Sequence, residues 1–404
     1  MIKDITSSIK FIGTDDLDLD LFEGQYAVPD GMSYNSYVIL DEKVAILDTV
    51  DARKGEAWCA HLTEALGGRT PDYLVVHHME PDHSALIARV LERYPSLTLV
   101  ATAAALKMLP QFFEDIELEG RTLAVKEEDS LCLGAHTLRF FMAPMVHWPE
   151  VMVSYESAEK ILFSADAFGR FGAMARTGFY VSEDDDWACE ARRYYFNIVG
   201  KYGVQVQALL KKLAGADVAM ICPLHGPILN ENLPYHLGLY QTWSSYGVET
   251  EGVFVAYASI HGGTAAAAER LAGMLREKGC PKVAVADLSR ADLAECVEDA
   301  FRYGRMVLAA ASYDGGVFTP MHDFLYRLQV KGYRDRVVGL VENGSWAPSA
   351  ARVMKEMLSA MKDIVLVEPV VTLRSRMHKT DLPQLEALAE AVLTNLRTAA
   401  CEKV

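Results

Sequence analysis

The chain has 404 residues, 51% of them apolar, and a formal net charge of −16. That length exceeds one ordinary domain, so two or three are expected. So acidic a chain does not suit a nucleic-acid backbone or an anionic membrane as its main partner, and no apolar run approaches the ~18 residues of a membrane span.

The N-terminus reads Met1-Ile2-Lys3-Asp4-Ile5, with acids soon after at Asp15, Asp16 and Asp18. It lacks the basic start and unbroken apolar run of a signal peptide. Seven cysteines (Cys59, Cys132, Cys189, Cys222, Cys280, Cys296 and Cys401) are scattered, and no pair has C-x-x-C spacing. That spacing argues against a rubredoxin-like iron site or a structural zinc finger. Reduced thiols in a cytoplasm are the simplest reading.

In chain order, residues 36–40 and 44–48 are apolar runs around the polar Asp41-Glu42-Lys43, which predicts a hairpin. Residues 73–76 read as a short buried strand ending at His77 and His78, followed by helical composition over 84–93. A strand over 137–142 precedes His147, and strands over 151–155 and 161–163 flank a polar turn. A helix is expected over 187–213, after which 218–221 leads into Cys222-Pro223-Leu224-His225-Gly226. Strands that repeatedly end in His or Asp describe a sheet scaffold whose loops meet at one edge.

From about residue 251 the rhythm changes to strict alternation. Strands over 253–258, 283–286, 306–311, 337–341 and 364–367 alternate with helices over 264–278, 292–302, 321–328 and 348–361. A last helix is expected over 383–397. Five β–α repeats make an α/β doubly wound parallel sheet of flavodoxin-like size. The expected domains are 1–249 and 250–404, with no Pro/Ser-rich linker between them.

The chemistry concentrates in His78-Met79-Glu80-Pro81-Asp82-His83, directly after a strand. In an extended loop residues 78, 80 and 82 point one way while 83 reaches a neighbouring position, which suits two metals sharing a cleft. His147, Asp166 and His225 follow at loop positions of their own. An isolated histidine is more often packed or hydrogen-bonded in a core, but seven residues in consistent placement reverse that reading. His77 falls out of the alternation and reads as structural; His61, His136, His236, His322 and His378 read as ordinary.

In order and spacing this set resembles the metallo-β-lactamase superfamily, whose hydrolases usually carry H-x-H-x-D-H and bind zinc. Here Glu80 stands where the second His would be. Fewer imidazoles and more carboxylates make a harder, more anionic donor set that suits iron in its ferrous and ferric states, whereas zinc has no redox chemistry. H-x-E-x-D-H followed by this kind of C-terminal domain is similar to the flavodiiron proteins. The resemblance extends to Gly31-Met32-Ser33-Tyr34-Asn35-Ser36-Tyr37, His147-Trp148-Pro149 and Asp166-Ala167-Phe168-Gly169, and covers nearly the whole chain. It implies a metallo-β-lactamase-like αββα sandwich followed by a flavodoxin-like sheet. It also implies one iron held by His78, Glu80 and His147, a second held by Asp82, His83 and His225, and Asp166 bridging the two.

In the second half, Ser259-Ile260-His261-Gly262-Gly263-Thr264 lies between a strand and a helix, where backbone N–H groups and a helix N-terminus can surround a phosphate. No Lys or Arg lies in this loop and the P-loop pattern is absent, which favours a flavin monophosphate over a nucleoside triphosphate. Ser312-Tyr313-Asp314-Gly315-Gly316 and Asn343-Gly344-Ser345-Trp346 fall at the same sheet edge, with Tyr313 and Trp346 as candidate stacking partners for a flat ring. Together they look like the three FMN loops of a flavodoxin. His261 and Gly263 depart from the pattern, standing where a bulkier aromatic and an Asn are common in related chains.

The resemblance implies an oxidoreductase in which FMN passes electrons to two non-haem irons that reduce O2 to water, NO to N2O, or both. The donor would be external: a rubredoxin-type protein, a reductase or a reduced small cofactor. A head-to-tail homodimer, with further pairing of dimers left open, would set one subunit's FMN beside the other's irons. Tyr195, in Arg192-Arg193-Tyr194-Tyr195, is a candidate hydrogen-bond donor to bound gas, with a core or surface role as an equal alternative. The competing readings are a zinc-dependent hydrolase of the lactamase type, against which Glu80 and the flavin loops count, and an electron carrier using the flavin domain alone. The ligands do not choose between O2 and NO.

Overall fold

The computed structural model describes residues 2–182 and 186–401, with side chains as far as residue 394. The chain forms two compact units, one running to Ser244 and the other starting at Ser245.

In the first unit a seven-stranded sheet runs in the order Lys3–Asp4, Ile9–Phe11, Tyr37–Leu40, Val44–Leu47, Tyr73–Val75, Thr98–Thr102, Thr122–Val125. Its first four strands are antiparallel, and the last three join in parallel. A five-stranded sheet runs Ser130–Cys132, Thr137–Met142, Met152–Glu156, Ile161–Phe163, Met220–Cys222. Alternation along the strands turns Ile39, Leu47 and Val100 of one sheet and Leu138, Phe140 and Met152 of the other into a single buried core. Helices Gly55–Leu66 and Ala103–Phe112 cover the first sheet and Gly203–Leu213 the second. The layers are helix, sheet, sheet, helix, the sandwich expected.

The predicted hairpin is present as Tyr37–Leu40 paired with Val44–Leu47. Two expected helices are not continuous. The one over 84–93 is a turn, Pro81–Ser84, followed by Ile87–Arg93. The one over 187–213 splits into an α-helix Trp187–Tyr194, a π-turn Tyr195–Val199, a 3-10 turn Gly200–Tyr202 and an α-helix Gly203–Leu213. Gly200 and Gly203 weaken the helix there, and the wider π-turn shifts the face on which each following residue lies.

The second unit is a parallel sheet in the order Val283–Asp287, Thr250–Ala258, Tyr303–Tyr313, Arg334–Asn343, Lys362–Leu366. Numbered along the chain that is 2-1-3-4-5, the flavodoxin-like order. The edge is shared: Val371–Leu373, a strand not expected from sequence, continues alongside the C-terminal end of Arg334–Asn343. Helices Gly263–Glu277 and Leu382–Cys401 pack on one face, and Leu293–Arg302, Thr319–Val330 and Ala350–Ser359 on the other. Arg336, 2% exposed, donates to the carbonyls of Tyr246, Gly247, Phe301 and Tyr303. Those bonds tie the segment just after Ser244 to the second unit. No helix among the described residues is long and apolar enough to cross a membrane, and Cys59, Cys132, Cys189, Cys222, Cys280 and Cys296 are free thiols.

Candidate metal and flavin sites

Strand direction explains why the metal-ligand candidates meet. Tyr73–Val75 ends two residues before His77, and Thr137–Met142, Ile161–Phe163 and Met220–Cys222 end on the same side of their sheet, just before His147, Asp166 and His225. The connecting loops are strained. Asp48, Met145, Ala165 and Phe168 hold left-handed backbone (φ 55°, 66°, 50° and 67°) without being glycine, a cost that persists where the surrounding structure over-determines the loop.

Two groups of side chains converge there: His78, Glu80, His147 and Asp166 in one, Asp82, His83 and His225 in the other. In the first, Glu80 Oε2 lies 3.1 Å from Nε2 of both His78 and His147. Asp166 Oδ2 lies 3.0 Å from His147 Nε2 and 3.4 Å from His78 Nε2. In the second, Nε2 of His83 and His225 are 3.0 Å apart, at 3.4 and 3.3 Å from Asp82 Oδ2. The other oxygen of Asp166, Oδ1, faces this group at 3.4 Å from His83 and 3.7 Å from His225. One carboxylate therefore presents one oxygen to each group. Both oxygens of Asp82 and of Asp166 are buried, and none of these short approaches has the angles of a hydrogen bond. The donor atoms converge on shared points rather than on one another, as ligands around an ion do.

A second ring of groups fixes the imidazoles. His78 Nδ1 donates to Glu150 Oε1 at 2.9 Å, and the same oxygen accepts the Met79 N–H at 2.8 Å. His225 Nδ1 donates to the Ser33 carbonyl at 2.7 Å. Each bond leaves Nε2 with its lone pair toward the pocket, the usual orienting arrangement for ligating histidines. Glu150 was not singled out from sequence; its only signal was a carboxylate three residues after His147. His77 lies outside both groups, its Nδ1 2.5 Å from Asp48 Oδ2 and its Nε2 2.7 Å from Ser154 Oγ.

The electrostatics describe a site that holds protons in the absence of an ion. Burial opposes charge on His147, but the close-facing carboxylates of Asp166 and Glu80 outweigh it and raise the imidazole to about 9. Burial likewise opposes charge on His78 and His83, and neighbouring carboxylates overcome it and raise both. Glu80 falls to about 2 and Asp166 well below the usual range, because the facing imidazoles outweigh burial. Cations of either kind, protons or metal, are what this donor set is built to bind.

Of the two alternatives for Tyr195, the structure places it among core aromatic rings, and its neighbour Tyr194 lies at the metal-ligand groups. Tyr195 packs its ring against Phe196, Tyr240 and Trp243, at 5.1, 5.1 and 5.4 Å between centroids. Tyr194 lies 5.7 Å from the His225 ring, and its hydroxyl is buried without a hydrogen-bond partner. Burial, then the charges of Asp166, Asp82 and Glu80, push its phenol well above the usual value. Tyr194 ends the α-helix and Tyr195 begins the π-turn.

In the second unit a cavity of about 600 Å³ opens at the C-terminal ends of Thr250–Ala258 and Tyr303–Tyr313, where the strand order reverses. Every flavin-loop residue singled out above lines it except Gly262 and Gly316. Gly262 instead caps the helix Gly263–Glu277 with φ 83°, and Gly316 pairs with Tyr313 in a short hairpin. Ser349 and Ser375 also line the cavity and were not foreseen. Tyr313 and Trp346 rim it, 47% and 89% exposed, an exposure that leaves both rings available to a flat ligand. Gly263 has a local cause. A Cβ there would stand 2.4 Å from the Ser375 carbonyl oxygen and 3.3 Å from Asn343 Nδ2, so no side chain fits. Asn343 Nδ2 itself donates to the Ser375 carbonyl at 3.0 Å, while its Oδ1 is buried without a partner.

A family model described as ODP family beta lactamase matches residues 32–226. The chain is 28% identical over 99% of its length to putative diflavin flavoprotein A 2 of Synechocystis sp., covering 65% of that protein. It is 28% identical to the anaerobic nitric oxide reductase flavorubredoxin of Vibrio vulnificus, covering 83% of this chain and 67% of that one. Rubredoxin-oxygen oxidoreductase of Megalodesulfovibrio gigas is 26% identical over 97% of this chain and 98% of its own. Among solved structures, rubredoxin oxygen:oxidoreductase from Desulfovibrio gigas superposes with a TM-score of 0.91 at 25% identity, covering 98% and 99% of the two chains. The flavodiiron protein from Giardia intestinalis does so with a TM-score of 0.90 at 21% identity, covering 98% and 97%. The chain spans 48% to 65% of the length of the first curated relatives it matches.

Proposed function

We propose that the chain is a flavodiiron-type oxidoreductase reducing O2, NO or both at a di-iron centre in its first unit, with electrons relayed through FMN in its second. The observation that carries the reading is Asp166, one carboxylate oxygen toward each histidine group. A bridging carboxylate with hard, mostly oxygen and imidazole donors fits a pair of irons. His78, Glu80 and His147 would hold one iron and Asp82, His83 and His225 the other. Bound iron supplies one-electron chemistry and open positions for a small gas; FMN supplies a two-electron reservoir.

The chain's own residues do the rest. Glu150 and the Ser33 carbonyl orient the ligating imidazoles. Tyr194 presents to the same pocket a buried hydroxyl with no hydrogen-bond partner, which keeps its proton because burial and the nearby carboxylates hold the phenol neutral. In the second unit the Gly263–Glu277 helix N-terminus would take the FMN phosphate, with Tyr313 and Trp346 flanking the ring. The proposed donor is an external rubredoxin-type protein, reductase or reduced small cofactor. The proposed assembly is a head-to-tail homodimer in which one copy's flavin serves the partner's metals. Free thiols fit a reducing, cytoplasmic setting.

The test is to measure iron, zinc and FMN in protein prepared without oxygen, reduce it, and add O2 or NO. About two irons and one FMN per chain with rapid gas consumption support the reading. Zinc without flavin, or a reduced iron-loaded protein that consumes neither gas, overturns it.

A further inference from the structure

A line of aromatic rings leaves the metal pocket of the first unit and reaches its surface. It starts at Phe168, two residues from Asp166, whose backbone N–H donates to the Tyr240 hydroxyl and whose ring stacks on Tyr240 at 4.0 Å. From Tyr240 the next ring is Trp243 at 5.5 Å, and Trp243 stacks on Trp187 at 6.2 Å with the planes 16° apart. Trp187 meets His236 at 4.7 Å, and His236 meets Tyr235 at 5.4 Å. Tyr240, Trp243 and Trp187 are at most 1% exposed, whereas Tyr235 is 49% exposed. Trp187, His236 and Tyr235 line a cavity of about 610 Å³.

Packing alone does not explain the choice of these residues. Trp187 Nε1 and His236 Nδ1 are buried without a hydrogen-bond partner, a cost of roughly 1–3 kcal/mol for each such group. Phenylalanine or leucine would fill the space without that cost. What tryptophan and tyrosine add is a ring that can be oxidised by one electron.

We propose that Tyr240, Trp243, Trp187 and Tyr235 form an electron-escape path that protects the metal pocket when gas arrives and the flavin is empty. The proposal rests on the oxygen-reducing function above. Complete reduction of O2 to two waters takes four electrons and four protons. A di-iron centre held there would supply two of the electrons by going from ferrous to ferric, and FMN would supply the other two. With FMN oxidised the deficit falls on the protein, and the ligating histidines stand nearest. Along the path one electron moves inward at each hop, from Tyr235 to Trp187, to Trp243, to Tyr240 and into the pocket. Tyr235 is left oxidised at the surface, its phenol proton passes to water, and a soluble thiol returns one electron and one proton to the phenoxyl. Two such events complete the reduction.

The test mixes iron-loaded protein, reduced at the metals only, with O2 in the presence of a nitroso spin trap, and maps adducts and histidine oxidation by peptide mass. The expected result is an adduct at Tyr235 with His78, His83, His147 and His225 intact. In Trp187→Phe/Trp243→Phe that adduct falls by about tenfold and oxidised ligand histidines appear, because slowing escape lets damage compete. Tyr235→Phe, at an exposed position, covers the case in which the double variant does not fold; it should lose the adduct and prolong a tryptophan radical seen by electron paramagnetic resonance. Protein that consumes O2 but carries no adduct at Tyr235, or ligand damage unchanged by either variant, overturns the path while leaving the oxygen-reducing function standing. If no O2 is consumed, that function fails, and pulse radiolysis of metal-free Trp346→Phe protein with azide radicals decides the path alone. First-order conversion of tryptophan to tyrosine radical, lost in the double variant, supports it, and its absence overturns it.

Discussion

The metal pocket and the flavin pocket solve the problem of holding a cofactor in opposite ways. The first is closed and crowded with ionisable groups: His78, His83, His225 and Asp166 are at most 1% exposed, and carboxylates and imidazoles are held against one another at strained loop ends. The second is an open groove of backbone, glycine and hydroxyl groups rimmed by two exposed aromatic rings. The difference teaches where binding free energy is stored. In the metal pocket it is built in before an ion arrives, because the site already bears the electrostatic cost of assembling the ligands. In the flavin pocket it is realised largely on contact, through stacking and backbone hydrogen bonds. Changes in the metal pocket should therefore be severe and spread through the first unit, and changes in the flavin pocket mild and local.

The largest effect is expected at Asp166. Asp166→Ala removes an oxygen from each group at once and should lower bound iron from about two per chain to near zero while FMN stays bound. Elemental analysis beside flavin absorbance measures both. A variant that keeps one tightly bound iron would show that the groups are independent and that Asp166 does not bridge.

Glu150→Gln should come next. It keeps the shape but weakens the hold on His78 Nδ1, and loss of such an orienting partner typically costs about 10- to 100-fold in metal affinity. Competition with a calibrated chelator reads the loss directly. An affinity equal to that of the parent would assign Glu150 to Met79 alone.

Smaller still is the pH dependence of the metal-free protein. His78, His83 and His147 hold protons more tightly than a free imidazole, His147 up to about 9. The stability these protons confer is complete below the ordinary value near 6.5 and is lost as pH rises toward 9. Glu80, lowered to about 2, sets the acid limit, its contribution being lost as pH falls from 4.5 toward 2. Metal-free first unit should lose roughly 5 °C of Tm between pH 6.5 and 9, whereas metal affinity should rise over the same range as ions displace fewer protons. Calorimetry checks the first and titration the second. A metal-free Tm that climbs over this range would contradict the electrostatic picture of the pocket.

The same contrast governs what could be read in the sequence. The seven metal-pocket residues were legible because chemistry, spacing and strand ends agreed, and because ionisable side chains at the ends of buried strands are costly unless something pairs with them. The doubly wound layers of the second unit were legible from hydrophobic rhythm, whereas the sandwich of the first came through the resemblance that its ligand motif carries. Three features were not legible. Tyr194 and Tyr195 are neighbours in the sequence, and only the fold shows which of them lies at the metal-ligand groups. Glu150 sits in Pro149-Glu150-Val151, where nothing local separates it from a surface acid. The strands Thr98–Thr102 and Thr122–Val125 carry no chemistry-bearing residue to mark them, and the helix Gly55–Leu66 carries only Cys59 and His61, which belong to no motif. The Gly263 departure was visible as a departure, but its cause, the Ser375 carbonyl against that position, is a contact between segments more than a hundred residues apart and exists only in the fold.

The mildest prediction sharpens the contrast most. Trp346 is 89% exposed, and its loop is held through its backbone, with Arg374 donating to the Trp346 carbonyl at 3.3 Å. Trp346→Ala removes the ring and leaves that bond possible, so the second unit should keep its Tm within about a degree, as surface substitutions do. Loss of one aromatic stacking contact is worth about 0.5–1.5 kcal/mol, which is roughly a 2- to 12-fold weaker FMN Kd. Fluorescence titration of flavin-free protein with FMN resolves a change of that size, and iron content should not move. An unchanged Kd would mean that the ring faces away from the flavin and that Tyr313 carries the stacking alone. A loss above a hundredfold would mean that the open groove is as pre-organised as the metal pocket, and the distinction between the two sites would collapse.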